Sequence, residues 1–143
     1  MEKRKIALDV GDKRIGVAVS DLLGITAQGY GVIERVGIRK DCDKIMDIIV
    51  KEDCDTVVIG LNKRLDGQDT IQTEKVYEFK TMLENKMRSN KMQHIPIVFQ
   101  DERLSTVEAE KVLISGNVRR EKRKTVIDMQ AAIIIMQRYL DSR

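Results

Sequence analysis

Three acidic sites in this sequence could do chemistry: Asp9, the adjacent pair Asp101 and Glu102, and Asp128. Asp9 interrupts the apolar run Ile6, Ala7, Leu8, Val10, where an ionised carboxylate is costly unless something compensates it. A bound cation would do so. So would the amides of Gly11 to Lys13, if Asp9 caps the turn that follows. Asp101 and Glu102 come where the strand-like run Ile95 to Gln100 should stop. Asp128 falls in the first turn of a helix expected to begin at Thr125, where the helix dipole also favours a carboxylate and ordinary capping is the alternative. What distinguishes the set is that all three sites project to one end of the expected sheet. Clustered like charges persist where a hard divalent cation binds, and all-oxygen ligands suit Mg²⁺ or Mn²⁺ better than zinc. Two such ions about 4 Å apart can activate water and stabilise the leaving oxygen in phosphodiester hydrolysis.

A second feature is basic. Arg119, Arg120, Lys122, Arg123 and Lys124 put five cations into six residues, the densest charge cluster in a chain of net charge +3. On charge alone this is a solvated loop. Leading directly into the helix that bears Asp128, it is expected to contact phosphates, with Arg14, Lys63, Arg64 and Arg103 as further candidates. Aromatic residues are only 3% of the chain, so base stacking cannot dominate a nucleic-acid contact. The single histidine, His94, lies just before a strand with no nucleophile pattern near it, which argues against a catalytic triad. Cys42 and Cys54 are twelve residues apart without a C-x-x-C partner motif, so no disulfide framework or thiolate zinc site is expected, only buried or half-buried thiols.

The elements that must position these groups follow from periodicity. Lys5 to Val10 is crowded with apolar residues and Ile15 to Val19 is a β-branched run, separated by Gly11-Asp12-Lys13 as a hairpin with a tight turn, and Tyr30 to Val36 supplies a third antiparallel strand. Cys42, Ile45, Met46 and Ile49 then recur at three and four, predicting a helix from about Asp41 to Glu52. Thr56 to Gly60 is a buried strand. Ile71, Val76, Phe79, Leu83 and Met87 mark a longer helix, and Ile95 to Gln100 the next strand. Ser105-Thr106-Val107-Glu108 has the form of a capping box for a helix ending near Ser115-Gly116, and Thr125 can cap a last helix to Leu140. Asp128, Ala132, Ile135 and Tyr139 share a face of that helix, with Ala131 removing bulk near its start. Helical crossovers require the last two strands to run parallel to one of the first three. At 143 residues, 42% hydrophobic and 34% charged, the chain reads as one α/β domain spanning 1–143. With no apolar run near 18 residues and no leader pattern, it is expected to be cytoplasmic and not to engage a membrane.

These motifs resemble those of the YqgF/RuvX family of RNase H-like Holliday junction resolvases, also described as pre-16S rRNA nucleases. The likeness spans nearly the whole chain. It rests on Leu8-Asp9-Val10-Gly11 with Arg14-Ile15-Gly16-Val17-Ala18-Val19-Ser20-Asp21, on Val58-Ile59-Gly60-Leu61 with Asp66-Gly67, on Asp101-Glu102-Arg103-Leu104-Ser105-Thr106 with Glu108-Ala109, and on Asp128 with Ala131-Ala132. The first motif is shared with actin-like ATPases; Asp-Glu-Arg-Leu-Ser-Thr is far more specific. One departure is Asn62, where the family usually has proline. The resemblance implies an RNase H-like five-stranded mixed sheet of order 3-2-1-4-5 with helices on both faces. It implies a metal-dependent endonuclease acting on structured nucleic acid, most of all at the 5′ end of pre-16S rRNA in ribosome biogenesis, with ribosomal particles as partners. Branched DNA in recombination, or non-catalytic binding of RNA or the transcription machinery, are the alternatives, and a symmetric junction resolvase should be a dimer. Metal-site roles fall on Asp9, the Asp101-Glu102 pair and Asp128. In that sheet order the strand ending at Asp101 lies two strands from Asp9, roughly 9 to 10 Å, and adjacent strand residues face opposite sides. The longer Glu102 is therefore expected to join Asp9 and Asp128 as ligand, with Asp101 orienting Arg103 or the Ser105 helix start.

Overall fold

The structure, a computed structural model, describes residues 3–61, 70–101 and 120–143, with the backbone alone over 120–128. Three strands open the chain: β1 (Arg4–Val10), β2 (Arg14–Ser20) and β3 (Ala27–Glu34). They are followed by α1 (Ile38–Glu52), β4 (Cys54–Leu61), α2 (Ile71–Ser89), β5 (Ile97–Asp101) and α3 (Arg120–Asp141). The sheet order is β3-β2-β1-β4-β5, as the family resemblance implies. β1 pairs antiparallel with β2 and parallel with β4, and β4 is parallel to β5, the arrangement that the helical crossovers demand.

Alternation along the strands sorts the two faces. Ile6, Leu8 and Val10 of β1, Ile15, Val17 and Val19 of β2, and Val57, Ile59 and Leu61 of β4 face α1 and α2, meeting Ile45, Ile49, Val76, Phe79 and Leu83. The opposite face is built of smaller residues: Ala7, Ala18 and Val58 pack against Ala132, Ile135, Met136 and Leu140 of α3. Small sheet residues let the helix approach closely. At Gly29 a Cβ would come within 2.8 Å of the Met129 sulfur and 3.1 Å of Ile133 Cδ1. At the other end of α3 the Gln137 side chain accepts from the Ala27 amide at 3.1 Å and donates to the Ile25 carbonyl at 3.0 Å. Among the described residues no helix is long and apolar enough to cross a membrane.

Several boundaries depart from the sequence reading: α1 begins at Ile38 instead of Asp41, β4 spans Cys54–Leu61 instead of 56 to 60, β5 spans Ile97–Asp101 instead of 95 to 100, and β3 and the last helix differ as well. β3 begins at Ala27 and ends at Glu34 instead of spanning 30 to 36; Gly29 and Gly31 weaken the strand signal, and at Gly29 α3 needs a bare backbone. The last helix begins at Arg120 rather than Thr125. Residues 120–124, Arg-Glu-Lys-Arg-Lys, are therefore helical and not a loop, consistent with the strong helix propensity of every one of them. Asp128 is accordingly the ninth residue of α3, counting from Arg120, beyond the first turn where the helix dipole would favour it. The helix expected over 105–116, like Asn62 and Asp66-Gly67, lies outside the described residues.

Candidate active site at the carboxyl end of the parallel strands

Asp9 sits one residue before the end of β1, half-buried, in register with Ala7 on the face that carries α3. Its cross-strand neighbours on that face have no side chains. Gly16 pairs with it directly on β2, and on β4 Gly60 follows the Ile59 that pairs with Leu8. Both glycines are buried, so the carboxylate is flanked on both neighbouring strands by backbone.

The path of α3 brings its amino-terminal half to the same place. Gln137 lies beside Ala27, whereas Met129 and Ile133 lie over Gly29, so α3 runs antiparallel to β3 and hence to β1. Gly29 pairs with Ala18, and Gly16, the partner of Asp9, is two residues from Ala18 along β2. Two strand residues span roughly 6.6 Å, which equals about four residues of helix at 1.5 Å each. Moving that far up α3 from its contact with Gly29 reaches the turn that contains Asp128. Position 128 also lies one turn before Ala131 and Ala132, both fully buried, on the stripe that faces the sheet. By this spacing the backbone of residue 128 falls at the level of the end of β1.

Asp101 closes β5 in register with Leu61. Ile97 and Phe99 pack toward α1 and α2 and Val98 toward α3, so alternation assigns Asp101 to the α1/α2 side, opposite to Asp9. Glu102 lies outside the described residues. Among those that are described, no group of three or more His, Cys, Asp or Glu could hold a metal ion. Softer donors are remote: Cys54 opens β4 and the exposed His94 precedes β5, both at the far end of the sheet, while Cys42 is buried in α1. Burial pushes the Cys42 thiol up to about 11 and the Cys54 thiol up to about 12, so both stay protonated and neither offers a thiolate.

What fixes the end of β1 is not legible in the sequence. Gly11 N–H donates to the Arg14 carbonyl at 2.9 Å, closing the turn. Gln72 Nε2 at the start of α2 donates to the Val10 carbonyl at 3.1 Å. Arg35 donates from Nη1 to the Gly11 carbonyl at 2.9 Å, from its backbone amide to the Lys13 carbonyl at 2.9 Å, and from Nε to Asp41 at 2.9 Å. Asp41 is fully buried and also accepts from the Val36 amide at 3.1 Å. The only sequence signal is an acidic residue in the first turn of α1, six after an arginine.

Of the expected phosphate contacts, Arg14 is described and pairs with Glu34 at 3.0 Å in a largely exposed ion pair. Arg120, Lys122, Arg123 and Lys124 occupy the first turns of α3; Lys63, Arg64, Arg103 and Arg119 lie outside the described residues.

The model of the RuvX family, described as Holliday junction resolvase, matches residues 3–142. A protein of Clostridioides difficile named "Putative pre-16S rRNA nuclease" is 48% identical over 141 residues, covering 99% of this chain and 96% of its own. A protein of the same name in Desulforamulus reducens is 48% identical over 139 residues, 97% of each chain. Among solved structures, the RuvC of T. thermophilus in complex with a Holliday junction substrate superposes with a TM-score of 0.57 at 12% identity, over 99% of this chain and 96% of that one. The yeast mitochondrial Holliday junction resolvase gives a TM-score of 0.59 at 12% identity, over 96% and 78%. At such identity these likenesses establish the fold, the RNase H-like arrangement expected from the motifs.

Proposed function

The chain belongs to the RuvX family, and from that membership together with the placement of Asp9 we propose a metal-dependent endonuclease that matures the 5′ end of pre-16S rRNA. As a nuclease it is a hydrolase of ester bonds. The observation that carries the metal-site reading is the Asp9 carboxylate, set between Gly16 and Gly60 at the strand ends, with the turn of α3 that contains Asp128 at the same level. The donor set fits a hard cation, because the described thiols and the imidazole are elsewhere and the candidate ligands are carboxylates.

Asp9, Glu102 and Asp128 would hold Mg²⁺ or Mn²⁺, two ions in all. Asp101, on the other face, would support the strand end instead, which is why Glu102 takes the third place. Bound there, divalent ions would activate water and stabilise the departing oxygen of a phosphodiester. The chain's own contribution is to hold its carboxylates in place and to bind phosphates through Arg119, Arg120, Lys122, Arg123 and Lys124, with Arg14, Lys63, Arg64 and Arg103 around them. Relatives nearly half identical along the whole chain carry the rRNA nuclease name, which favours precursor rRNA, free or in ribosomal particles. The family's description favours a second substrate, branched DNA.

One assay tests the reading: purified wild-type and Asp9→Asn protein on a pre-16S rRNA 5′ fragment and on a four-way DNA junction, each with Mg²⁺, Mn²⁺ or EDTA. Cleavage of the RNA by wild type, abolished in EDTA and in Asp9→Asn, is expected. Preferential junction cleavage moves the substrate to DNA, and wild-type rates in Asp9→Asn overturn the site.

A further inference from the structure

Resting on that reading of the Asp9 site, we propose that Arg35 is a positioning residue for Asp9, acting through the β1–β2 turn with Asp41 as its anchor. Arg35 acts on the two turn residues that fix where β1 ends. Its backbone amide holds the Lys13 carbonyl and its Nη1 holds the Gly11 carbonyl, each at 2.9 Å, so one residue grips both limbs of the turn that joins Asp9 to its partner strand.

The guanidinium is itself fixed from several directions. Nε meets the fully buried Asp41 at 2.9 Å, the Phe79 ring lies 5.4 Å from its Cζ, and only 19% of the side chain is exposed. α2 adds to the grip: Gln72 Nε2 takes the Val10 carbonyl and Lys75 Nζ meets Asp12 at 3.1 Å. Each of residues 10 to 13 is thereby tied to Arg35 or to α2. The β1–β2 ladder runs from Ile6↔Val19 to Val10↔Ile15 and the Gly11 amide already closes the turn on the Arg14 carbonyl, so these contacts are additional to the hairpin's own. A buried ion pair is also a poor source of stability compared with apolar packing of the same volume. The arrangement therefore serves position: it fixes the turn that begins two residues after Asp9.

The chemistry of the fork makes this testable. Lysine is a point charge and cannot hold Asp41 and the Gly11 carbonyl together with the planar geometry of a guanidinium. The full-length protein is titrated with Mn²⁺ alone, without nucleic acid, and the free ion is followed by electron paramagnetic resonance. Wild type is compared with Arg35→Lys, Asp41→Asn, Asp9→Asn and, as a control for a broken surface pair, Lys86→Ala, whose partner is Asp43 at 2.6 Å. Arg35→Lys and Asp41→Asn are expected to weaken Mn²⁺ binding and to lower kcat by about tenfold each, with KM for the nucleic acid unchanged. Lys86→Ala should behave as wild type. If Arg35→Lys fails to fold, Asp41→Asn carries the test, because its side-chain carbonyl can still accept from the Val36 amide. Unaltered Mn²⁺ affinity in a folded Arg35 or Asp41 variant, with binding abolished in Asp9→Asn, overturns the positioning role alone. Unaltered affinity in Asp9→Asn overturns the metal-site reading and this inference with it.

Discussion

Asp9 and Asp101 lie at the same end of the sheet but on opposite faces: Asp9 shares the α3 face with Ala7, and Asp101 is level with Leu61 on the α1/α2 face. Two carboxylates so placed cannot share one ion without a break in the strand. Glu102→Gln is therefore expected to abolish metal-dependent cleavage, whereas Asp101→Asn keeps a measurable rate across a Mn²⁺ titration. The reverse pattern would assign the ligand to Asp101.

The helical start of α3 changes how the basic cluster should be tested. Replacing Arg119, Arg120, Lys122, Arg123 and Lys124 by Gln removes charge while preserving helix propensity. Each phosphate that the variant no longer neutralises should flatten the slope of log affinity against log salt by about 0.7 to 0.9. A fluorescence titration between low and moderate salt measures it, and an unchanged slope leaves the cluster without a role in binding.

Much of this architecture is readable from the residues. The hairpin turn at Gly11, the buried strand at Thr56 to Gly60 and the α1 stripe Cys42, Ile45, Met46, Ile49 all appear where period and turn chemistry put them. The exceptions have physical causes. Gly29 looks like a strand breaker but is the residue that lets α3 close on the sheet. Arg120 to Lys124 looks like solvated charge but is made of strong helix formers. The Arg35–Asp41 pair joins the end of β3 to α1 across Gly37, whose φ of 155° belongs to no repeating element, so no periodicity announces it.

Filling the space at Gly29 should loosen α3. Gly29→Val places side-chain atoms where Met129 and Ile133 already lie, and overpacking of this kind costs roughly 1 to 3 kcal/mol. Urea denaturation monitored by circular dichroism measures it; a variant as stable as wild type would mean that the helix does not rest there.

Buried ion pairing gives a contrast in stability. Asp41→Ala leaves Arg35 and the Val36 amide without their acceptor and should cost about 3 kcal/mol or more. Asp12→Ala removes only an exposed partner of Lys75 and should cost at most about 1 kcal/mol. Equal shifts in denaturant midpoint would contradict the burial of Asp41.

Alkaline stability should report the two thiols. Their ordinary value of 9.0 is raised by burial to about 11 for Cys42 and about 12 for Cys54. Below pH 9 both are protonated in either state and cost nothing. As pH rises from 9 toward 11, the unfolded chain releases protons that the folded one retains, so stability falls, by up to about 1.4 kcal/mol per thiol per pH unit. In Cys42→Ala/Cys54→Ala this part of the decline disappears, and a double variant with the wild-type slope would place the thiols in contact with water.

The Gln137 bridge to the start of β3 has a consequence for association between molecules. β3 is an edge strand, and edges with unpaired amides recruit further strands and seed aggregates. Gln137 consumes the Ala27 amide and the Ile25 carbonyl, the first groups an incoming strand would need. The register shift between Val17 and Ala18 disrupts regular pairing a few residues on, where Gly29 and Gly31 add little strand propensity. A side-chain amide from the last turns of α3 thus occupies the beginning of that edge, where an incoming strand would start to pair.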